Sequence, residues 1–373
     1  MNDRSLRWYQ WGSWHTMDRW VWGCTLLLLG AGVWLIMAST PAIALQHKWS
    51  PFLLLKRHLV MVGVGLGVML VTSQLREKSI VALGAIVGTT AWAGTLAVLR
   101  WGDNIKGARR WLTIGGMGWQ PSEFLKPALC VVVAYILCQR QGYVRSGLVL
   151  FLVVLPLLAQ PDLGMALMLV ASWFGQCFVA GLPWIVTISA GASLFVAIAA
   201  ACLYYPHAAH RIVTFLSHAD HDPNGSQYQM CQALKSFASG GLWGKGPGAG
   251  TVVNHLPDCH ADFVFAVAGE ELGLGASLSI VLLYAIIVGR MLHHARRETE
   301  PFAALAIGGL TMQLGLQACF NMSSVLGLVP TKGLTLPLMS YGGSSLLSVC
   351  WTIGMLLALT RRYRHAKSTL FAK

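Results

Sequence analysis

Asp262 lies in the stretch HADFVFAVAGEELG (260–273), where an acidic residue is followed at once by an apolar run. A carboxylate at such a boundary is suited to work as a general base on a hydroxyl brought within hydrogen-bond reach. Other polar segments between apolar ones carry Arg109, Arg110, Glu123, Lys126, Asp162, Lys235, Lys245, His260 and Lys332, together with Ser340, Tyr341 and the Gly342–Gly343 pair. Among the ionised groups, cations outnumber carboxylates about two to one. That balance fits a phosphate or pyrophosphate with a carboxylate base beside it. Ionisable residues at the edge of hydrocarbon are functional candidates because unpaired charge is costly there.

The scaffold that must hold these side chains is constrained by composition. The chain has 373 residues, 55% hydrophobic and 11% charged, with a mean hydropathy of +0.59. So few polar groups cannot cover a soluble globule of this size. A helix needs roughly 20 apolar residues to cross about 30 Å of hydrocarbon. Ten stretches qualify: 20–40, 58–74, 80–99, 124–138, 146–160, 163–180, 184–204, 264–289, 303–328 and 343–360. Strand-like alternation is absent, which leaves helices as the spanning element. The expected fold is an all-α, ten-span integral membrane domain over 1–373, with one large extracytoplasmic loop at about 205–262. AIA at 42–44 resembles a signal cleavage site. The preceding apolar core is longer than the roughly 7–15 residues of a signal peptide, so it reads as a retained anchor. Seven of the nine cysteines fall in or beside spans, where a thiol is an ordinary small hydrophobe. Cys231 and Cys259 lie in the long loop; they would pair only in an oxidising compartment, and their spacing matches no disulfide framework.

The excess of 27 Lys+Arg over 14 Asp+Glu would suggest nucleic acid in a soluble protein; here it sets topology, and no nucleic-acid partner is expected. Ten spans put both termini on one side. Arg4, Arg7 and Arg19 at one end, and Arg361, Arg362, Arg364, Lys367 and Lys373 at the other, make that side cytoplasmic. Arg76/Lys78, Arg140/Arg145 and Arg290/Arg296/Arg297 then fall inside as well. The segment 100–126 breaks the rule, with Arg100, Lys106, Arg109, Arg110 and Lys126 on the outer side. Either a translocated loop tolerates its charge, or these cations hold an anionic ligand at the outer surface.

QPDLG at 160–164 and PTKGLTLPLMSYGGSS at 330–345 fall on the same side. The Gly and Pro of 205–262 and 330–345 signal irregular backbone near membrane depth, tolerated only where protein or a watery cavity covers it. A cavity opening outward follows. GGLWGKGPGAG at 240–250 is Gly-rich, but Lys245 is followed by Gly246 and not by Ser or Thr, so it fails the phosphate-loop spacing; a tightly turning loop and a close ligand approach both remain open. HADHD at 218–222 has metal-binding residue types in what reads as a solvated turn, and no metal site is assigned. Glu123 and Lys126, three apart at the start of a span, either neutralise each other or face a ligand together.

The set GARRWL and QPSEFLK (107–126), QPDLG (160–164), YQMCQALKSFASGGLWGKGPGAG (228–250), LPDCHADFVFAVAGEELG (256–273) and NMSSVLGLVPTKGLTLPLMSYGGSS (321–345) resembles the SEDS family. These are the ten-span peptidoglycan polymerases that include RodA, SpoVE and FtsW. The resemblance runs from about 20 to 360 in matching order, and PTKGLTLP is closer to FtsW than to RodA. It implies a glycosyltransferase that polymerises lipid II on the outer face of the bacterial cytoplasmic membrane during cell division. The family's His-Thr-Asp-Phe motif reads here His260, Ala261, Asp262, Phe263, which makes Asp262 the implied catalytic carboxylate. The implied substrate-binding set is Arg109, Arg110, Glu123, Lys126, Asp162, Lys245, His260, Lys332, Ser340, Gly342 and Gly343. The implied partners are a class B penicillin-binding protein (an FtsI-like transpeptidase) and other divisome proteins. A divalent cation, Mg or Mn, on the pyrophosphate is compatible with the chemistry.

Three positions depart from the family pattern: Ala261 for the usual Thr, Met165 where a small hydroxyl residue is common, and GPGAGTVVNH without the Ser and Lys often found in that loop. Glu270 and Glu271 follow Asp262 by eight and nine residues. In one continuous helix they would lie about 12–14 Å deeper, so they must face the cavity or a cation, or one must stay protonated. Three other readings compete. A flippase or transporter of lipid-linked precursors would move substrate without forming glycan, a RodA-like polymerase would serve elongation, and a scaffold would tolerate Asp262→Asn.

Overall fold

The computed structural model describes residues 17–47, 50, 52–105, 108–114, 117–186, 188–189, 192, 226–330 and 333–371. Its helices are α1 (Arg19–His47), α2 (Leu53–Ser73), α3 (Glu77–Trp101), α4 (Ser122–Leu137), α5 (Gly142–Ala159), α6 (Leu163–Val179), α7 (Ser226–Gly240), α8 (Val264–Glu271), α9 (Gly273–Arg297), α10 (Pro301–Val325) and α11 (Gly343–Phe371). Seven of these, α1, α2, α3, α5, α9, α10 and α11, are long and apolar enough to cross a membrane, and the chain is a multi-pass membrane protein. Two of the expected spans are shorter helices: α4 has 16 residues and α6 has 17. Most of the expected span at 184–204, together with 205–225 of the expected loop, lies outside the described residues.

Two expectations are corrected. The segment 100–126 is not strand-free: β1 (Asp103–Ile105), β2 (Ala108–Ile114) and β3 (Met117–Trp119) form an antiparallel meander with Asn104 opposite Arg109 and Thr113 opposite Gly118. These strands cap the bundle and do not span it. The stretch read as one span over 264–289 is two helices, α8 and α9, broken at Leu272 and Gly273. Gly273 has φ +80°, and a Cβ there would run into the Leu242 carbonyl and the Gly244 amide. A left-handed, crowded position of this kind accepts only glycine. The spanning helix therefore starts at Gly273, and Glu270 and Glu271 precede it instead of lying deep within it.

Helices α10 and α11 form the interior. Of the most apolar window of α11, 94% is buried inside the protein, and of α10 67%, against 22% for α2 and for α3. α11 packs closely on α2: a Cβ on Gly65 would come 2.9 Å from Cys350 Sγ, and one on Gly354 would come 2.8 Å from the Met69 carbonyl. Small residues at such crossings let membrane helices approach backbone to backbone. Gly354→Leu is therefore expected to lower stability by about 1–3 kcal/mol, the range for overpacking. Gly289→Leu, where nothing lies within 4 Å, should leave the melting temperature in detergent unchanged. Equal melting temperatures for the two variants would contradict the crossing.

Candidate active site

The segment 333–342 joins α10 to α11 as irregular chain, yet Leu334, Leu336, Leu338, Met339 and Ser340 are all buried. It passes against α1, where a Cβ on Gly32 would come 2.7 Å from Met339 Cα. Buried backbone must find hydrogen bonds within the protein, and here side chains from the helices supply them. Asn321 Nδ2 donates to the Leu334 carbonyl at 2.5 Å, Gln317 Nε2 to the Thr335 carbonyl at 3.1 Å, and the Tyr284 hydroxyl to the Pro337 carbonyl. The Leu336 amide donates to Ser340 Oγ at 2.8 Å, closing the turn. Ser340, one of the expected site residues, thus also holds this turn.

The same α10 amides also reach the two segments of greatest chemical interest. Asn321 Nδ2 donates a second bond to the Asp262 carbonyl at 2.8 Å. Lys126 Nζ donates to Gln317 Oε1 at 2.7 Å. Gln317 and Asn321 are four residues apart, one turn and about 6 Å along a helix. One face of α10 thereby fixes the Asp262 segment and Lys126 as neighbours. Farther along the same face Gln313 Oε1 accepts from Ser172 Oγ of α6 at 2.6 Å. Sequence reading passed over Gln313, Gln317 and Asn321; the available signal was three amides at i, i+4 and i+8 in an apolar helix.

Asp262 is half-buried at the start of α8. Its carboxylate rests against Gly333: a Cβ at that residue, which has φ +71°, would come 3.1 Å from Asp262 Oδ2. The neighbouring Lys332 lies outside the described residues. His260 joins the same wall, its carbonyl accepting from the Tyr341 amide at 2.9 Å and its ring centroid 5.3 Å from that of Tyr341. Gly342 and Gly343 open α11 beside it, Gly343 against Met61 of α2.

Lys126 is 1% exposed and Glu123 5%, and they form an ion pair of 2.7 Å within α4. The pairing expected of this i, i+3 pair is present, and Gln317 is a further partner of the ammonium. Ser348 Oγ of α11 donates to the Glu123 carbonyl at 2.7 Å, so the pair sits where α4, α10 and α11 meet.

Strand alternation sends the two arginines of β2 to opposite faces. Arg109 is exposed, with Nη1 3.5 Å from the Leu99 carbonyl. Arg110 turns to the α5–α6 junction: Nη2 donates to the Pro161 carbonyl at 2.6 Å, Nε to the Gln160 carbonyl at 3.3 Å, and Nε lies 3.8 Å from Asp162 Oδ2. Asp162 caps α6 by accepting from the Met165 amide at 3.3 Å. The structure joins Arg110 to Asp162, while the α10 face joins Asp262 to Lys126.

Lys245 belongs to a third cluster. Its ammonium donates to Glu270 Oε1 at 2.7 Å and to Thr251 Oγ1 at 2.8 Å. Glu270 also accepts from the amides of Thr251, Val252 and Val253. The Gly-rich loop folds onto α8 so closely that a Cβ on Gly244 would meet the Glu271 carbonyl. The loop turns tightly, with left-handed backbone at Gly244, Gly246 and Gly248. Burial pushes the Glu270 carboxyl up, but Lys245 and the three amides outweigh it and bring it down to about 2. Glu271 is raised to about 6 by burial, against a lowering bond from Gly248, with the Glu270 charge adding to the rise. Cys231 is exposed and Cys259 buried, and the two are free thiols. Burial pushes the Cys259 thiol up to about 12. Among the described residues no three His, Cys, Asp or Glu side chains gather as a metal site.

Lys126→Met would strand a buried Glu123 charge and is expected to cost about 3–5 kcal/mol. Adding Glu123→Gln should restore most of that loss in thermal unfolding. Glu270 and Glu271 act on stability with opposite signs. The Glu270 contribution is complete above about pH 4.5, the ordinary carboxyl value, and is lost as pH falls towards 2. Glu271 opposes folding increasingly as pH rises from about 4.5 to 6. Melting temperature against pH should therefore rise above pH 6 for Glu271→Gln and fall at neutral pH for Glu270→Gln; the reverse order would refute the assignment.

Known proteins give this geometry a context. The profile of the FtsW/RodA/SpoVE family, described as cell cycle protein, matches residues 18–365. The probable peptidoglycan glycosyltransferase FtsW of Caulobacter vibrioides is 37% identical over 94% of this chain and 90% of its own length. Its counterpart in Tolumonas auensis is 35% identical over 92% and 91%. Among solved structures, a chain of a peptidoglycan synthase complex that coordinates polymerization and crosslinking superposes with a TM-score of 0.80 at 28% identity, covering 94% of this chain and 99% of that one. The rod shape determining protein RodA of Thermus thermophilus follows with a TM-score of 0.69 at 27% identity, over 94% and 99%. With nearly its whole length matched, this chain belongs to the FtsW/RodA/SpoVE family.

Proposed function

We propose that this protein is a peptidoglycan glycosyltransferase that polymerises lipid II into glycan strands during cell division, with Asp262 as the general base. The observation that carries the reading is the α10 face, whose Asn321 and Gln317, one turn apart, hold the Asp262 segment and Lys126. The naming of the FtsW relatives supports the activity and the division role.

Glycosyl transfer from a lipid pyrophosphate has two demands. The acceptor hydroxyl must lose its proton as its oxygen bonds to the anomeric carbon, and a positioned base contributes roughly 10²–10⁴-fold. As that bond forms, the bond from the anomeric carbon to the pyrophosphate oxygen breaks, and negative charge gathers on the departing group. Preorganised positive charge at that point often accelerates such reactions more than any other single effect. Asp262 takes the proton. Arg109, Arg110 and Lys126 supply positive charge for the leaving group, with Arg110 oriented by the α5–α6 junction and Lys126 by Glu123 and Gln317. Attack from the face opposite the leaving group gives inversion, by analogy with the water-activating carboxylate of inverting glycosidases. A Mg²⁺ or Mn²⁺ ion would take its ligands chiefly from pyrophosphate and water, and the proposed roles do not depend on it.

This reading sets both termini in the cytoplasm and Asp262 at the outer face of the cytoplasmic membrane. A class B penicillin-binding protein and other divisome components are the partners, in keeping with the synthase complex among the structural relatives. With purified chain, partner transpeptidase and lipid II, Asp262→Asn is expected to reduce glycan synthesis at least 10²-fold while melting temperature and co-elution with the partner stay unchanged. Normal polymerisation by this variant would sink the base assignment.

A further inference from the structure

Arg57 lies near the start of α2 and is exposed. Its side chain donates a hydrogen bond to the Tyr341 hydroxyl. That contact is the outermost of a series: one turn on, Met61 meets Gly343, and one turn further Gly65 meets Cys350. The α2–α11 crossing therefore fixes where Arg57 stands. Tyr341 in turn is fastened to the chain that bears Asp262, since its amide donates to the His260 carbonyl at 2.9 Å and the two rings lie 5.3 Å apart, centroid to centroid. A guanidinium is thus tied, through one side chain, to the segment of the proposed base. Hydrogen-bonding capacity is left over at this wall. Among the described residues no ion pair involves Arg57, and a guanidinium has five N–H donors. His58 is 1% exposed, its ring centroid is 6.1 Å from that of Tyr341, and its Nε2 has no partner among the described residues. Buried polar atoms are rarely left so. Burial raises the Tyr341 phenol above its ordinary value, against the charge and hydrogen bond of Arg57. The hydroxyl therefore keeps its proton at neutral pH, accepting from Arg57 while free to donate onward.

We infer that Arg57 and the Tyr341 hydroxyl bind the pyrophosphate of the lipid-linked sugar beside the Asp262 segment. The inference rests on the function proposed above and adds two side chains to its site. An anion is the ligand such a pair selects: the guanidinium fork takes phosphate oxygens through two parallel N–H bonds, and the neutral phenol adds an O–H donor. Other cations have less to give in direct contact. Lys126 is held by Glu123 and Gln317, Arg110 by the Gln160 and Pro161 carbonyls, and Lys245 by Glu270 and Thr251. They lend charge from fixed positions, whereas Arg57 keeps donors for the ligand itself. Arg109 is also exposed, but its contact is the Leu99 carbonyl of α3, and Arg57 is the one joined through Tyr341 to the Asp262 segment. The bond to Tyr341 also restrains the long Arg57 side chain, which lowers the ordering cost of capturing a ligand. A pyrophosphate carries more negative charge than a phospholipid phosphodiester and so gains more from a guanidinium at this wall.

The test measures binding of a fluorescent polyprenyl pyrophosphate to the full chain in phosphatidylcholine nanodiscs, with polyprenol and phosphatidylglycerol carrying the same fluorophore as the other ligands. Arg57→Gln is expected to weaken pyrophosphate binding about 10- to 100-fold, the range for a lost hydrogen bond to a charged group, and to leave polyprenol binding unchanged. Tyr341→Phe should weaken it less than Arg57→Gln does, and Arg57→Lys should fall between Arg57→Gln and the parent. Arg57 is exposed, so Arg57→Gln should melt like the parent. If it does not, Arg57→Lys, which keeps the charge without the planar fork, carries the test. Unchanged pyrophosphate binding by the folded Arg57 variant, or an equal loss of polyprenol binding, would overturn the inference. So would an equal loss of phosphatidylglycerol binding, which would make this a site for phospholipid head groups. Lipid II polymerisation by the parent is measured separately. Polymerisation by the parent, with pyrophosphate binding untouched by Arg57→Gln, refutes the Arg57 site alone; binding that depends on Arg57, without polymerisation, supports the site and counts against the proposed activity.

Discussion

The polar face of α10 is the constraint on which the rest depends. A membrane protein that carries irregular chain through its interior must satisfy that backbone from within, because neither lipid nor bulk water is there to do so. Asn321, Gln317 and the Tyr284 hydroxyl meet that need: the carbonyls of Leu334, Thr335 and Pro337 are all bonded by side chains. The same two amides hold the Asp262 carbonyl and the Lys126 ammonium. Folding of the buried segment and placement of the chemistry are thus one event, since the amides that make 333–342 tolerable also set the distance between a carboxylate segment and a cation.

The charged residues fall into separate clusters around this centre. Glu123 with Lys126 locks α4 to α10 and α11, Arg110 with Asp162 locks the meander to the α5–α6 junction, and Lys245 with Glu270 locks the Gly-rich loop to α8. At the opposite end of the bundle Asp18 accepts from Arg290 Nε at 2.6 Å and lies 2.8 Å from His294 Nε2, fastening the start of α1 to the end of α9. Burial acts to raise the Asp18 carboxyl, but His294 and then Arg290 hold it well below the usual range. Three of these clusters pair opposite charges across different elements, while Glu123 and Lys126 pair within α4. That is how a chain with 27 Lys+Arg and 14 Asp+Glu places several of them within an apolar bundle.

A division of labour along α4 follows from helical geometry. Side chains one residue apart point about 100° away from each other, so Lys126 enters the polar seam with α10 while Leu125 faces the apolar gap between α3, α4 and α5.

Much of this was legible in the sequence. Composition and the lengths of apolar runs identified a helical membrane protein, since lipid permits little else, and the motif set located Asp262, Arg110, Lys126 and Asp162 in segments that the structure brings to one end of the bundle. Three things were not legible. The break at Gly273 was invisible because α8 and α9 are both apolar, and only the loop packed against Gly273 shows why a glycine is needed there. The meander was hidden because three-residue strands carry too little alternation to register. The amides of α10 read as incidental polar residues in a span. What the sequence determined by itself was the inventory: which segments enter the membrane and which ionisable groups they bring. What only the tertiary structure decided was the pairing, because a charge or an amide in an apolar interior takes its role from the partner that packing sets beside it, and that partner is usually far away along the chain.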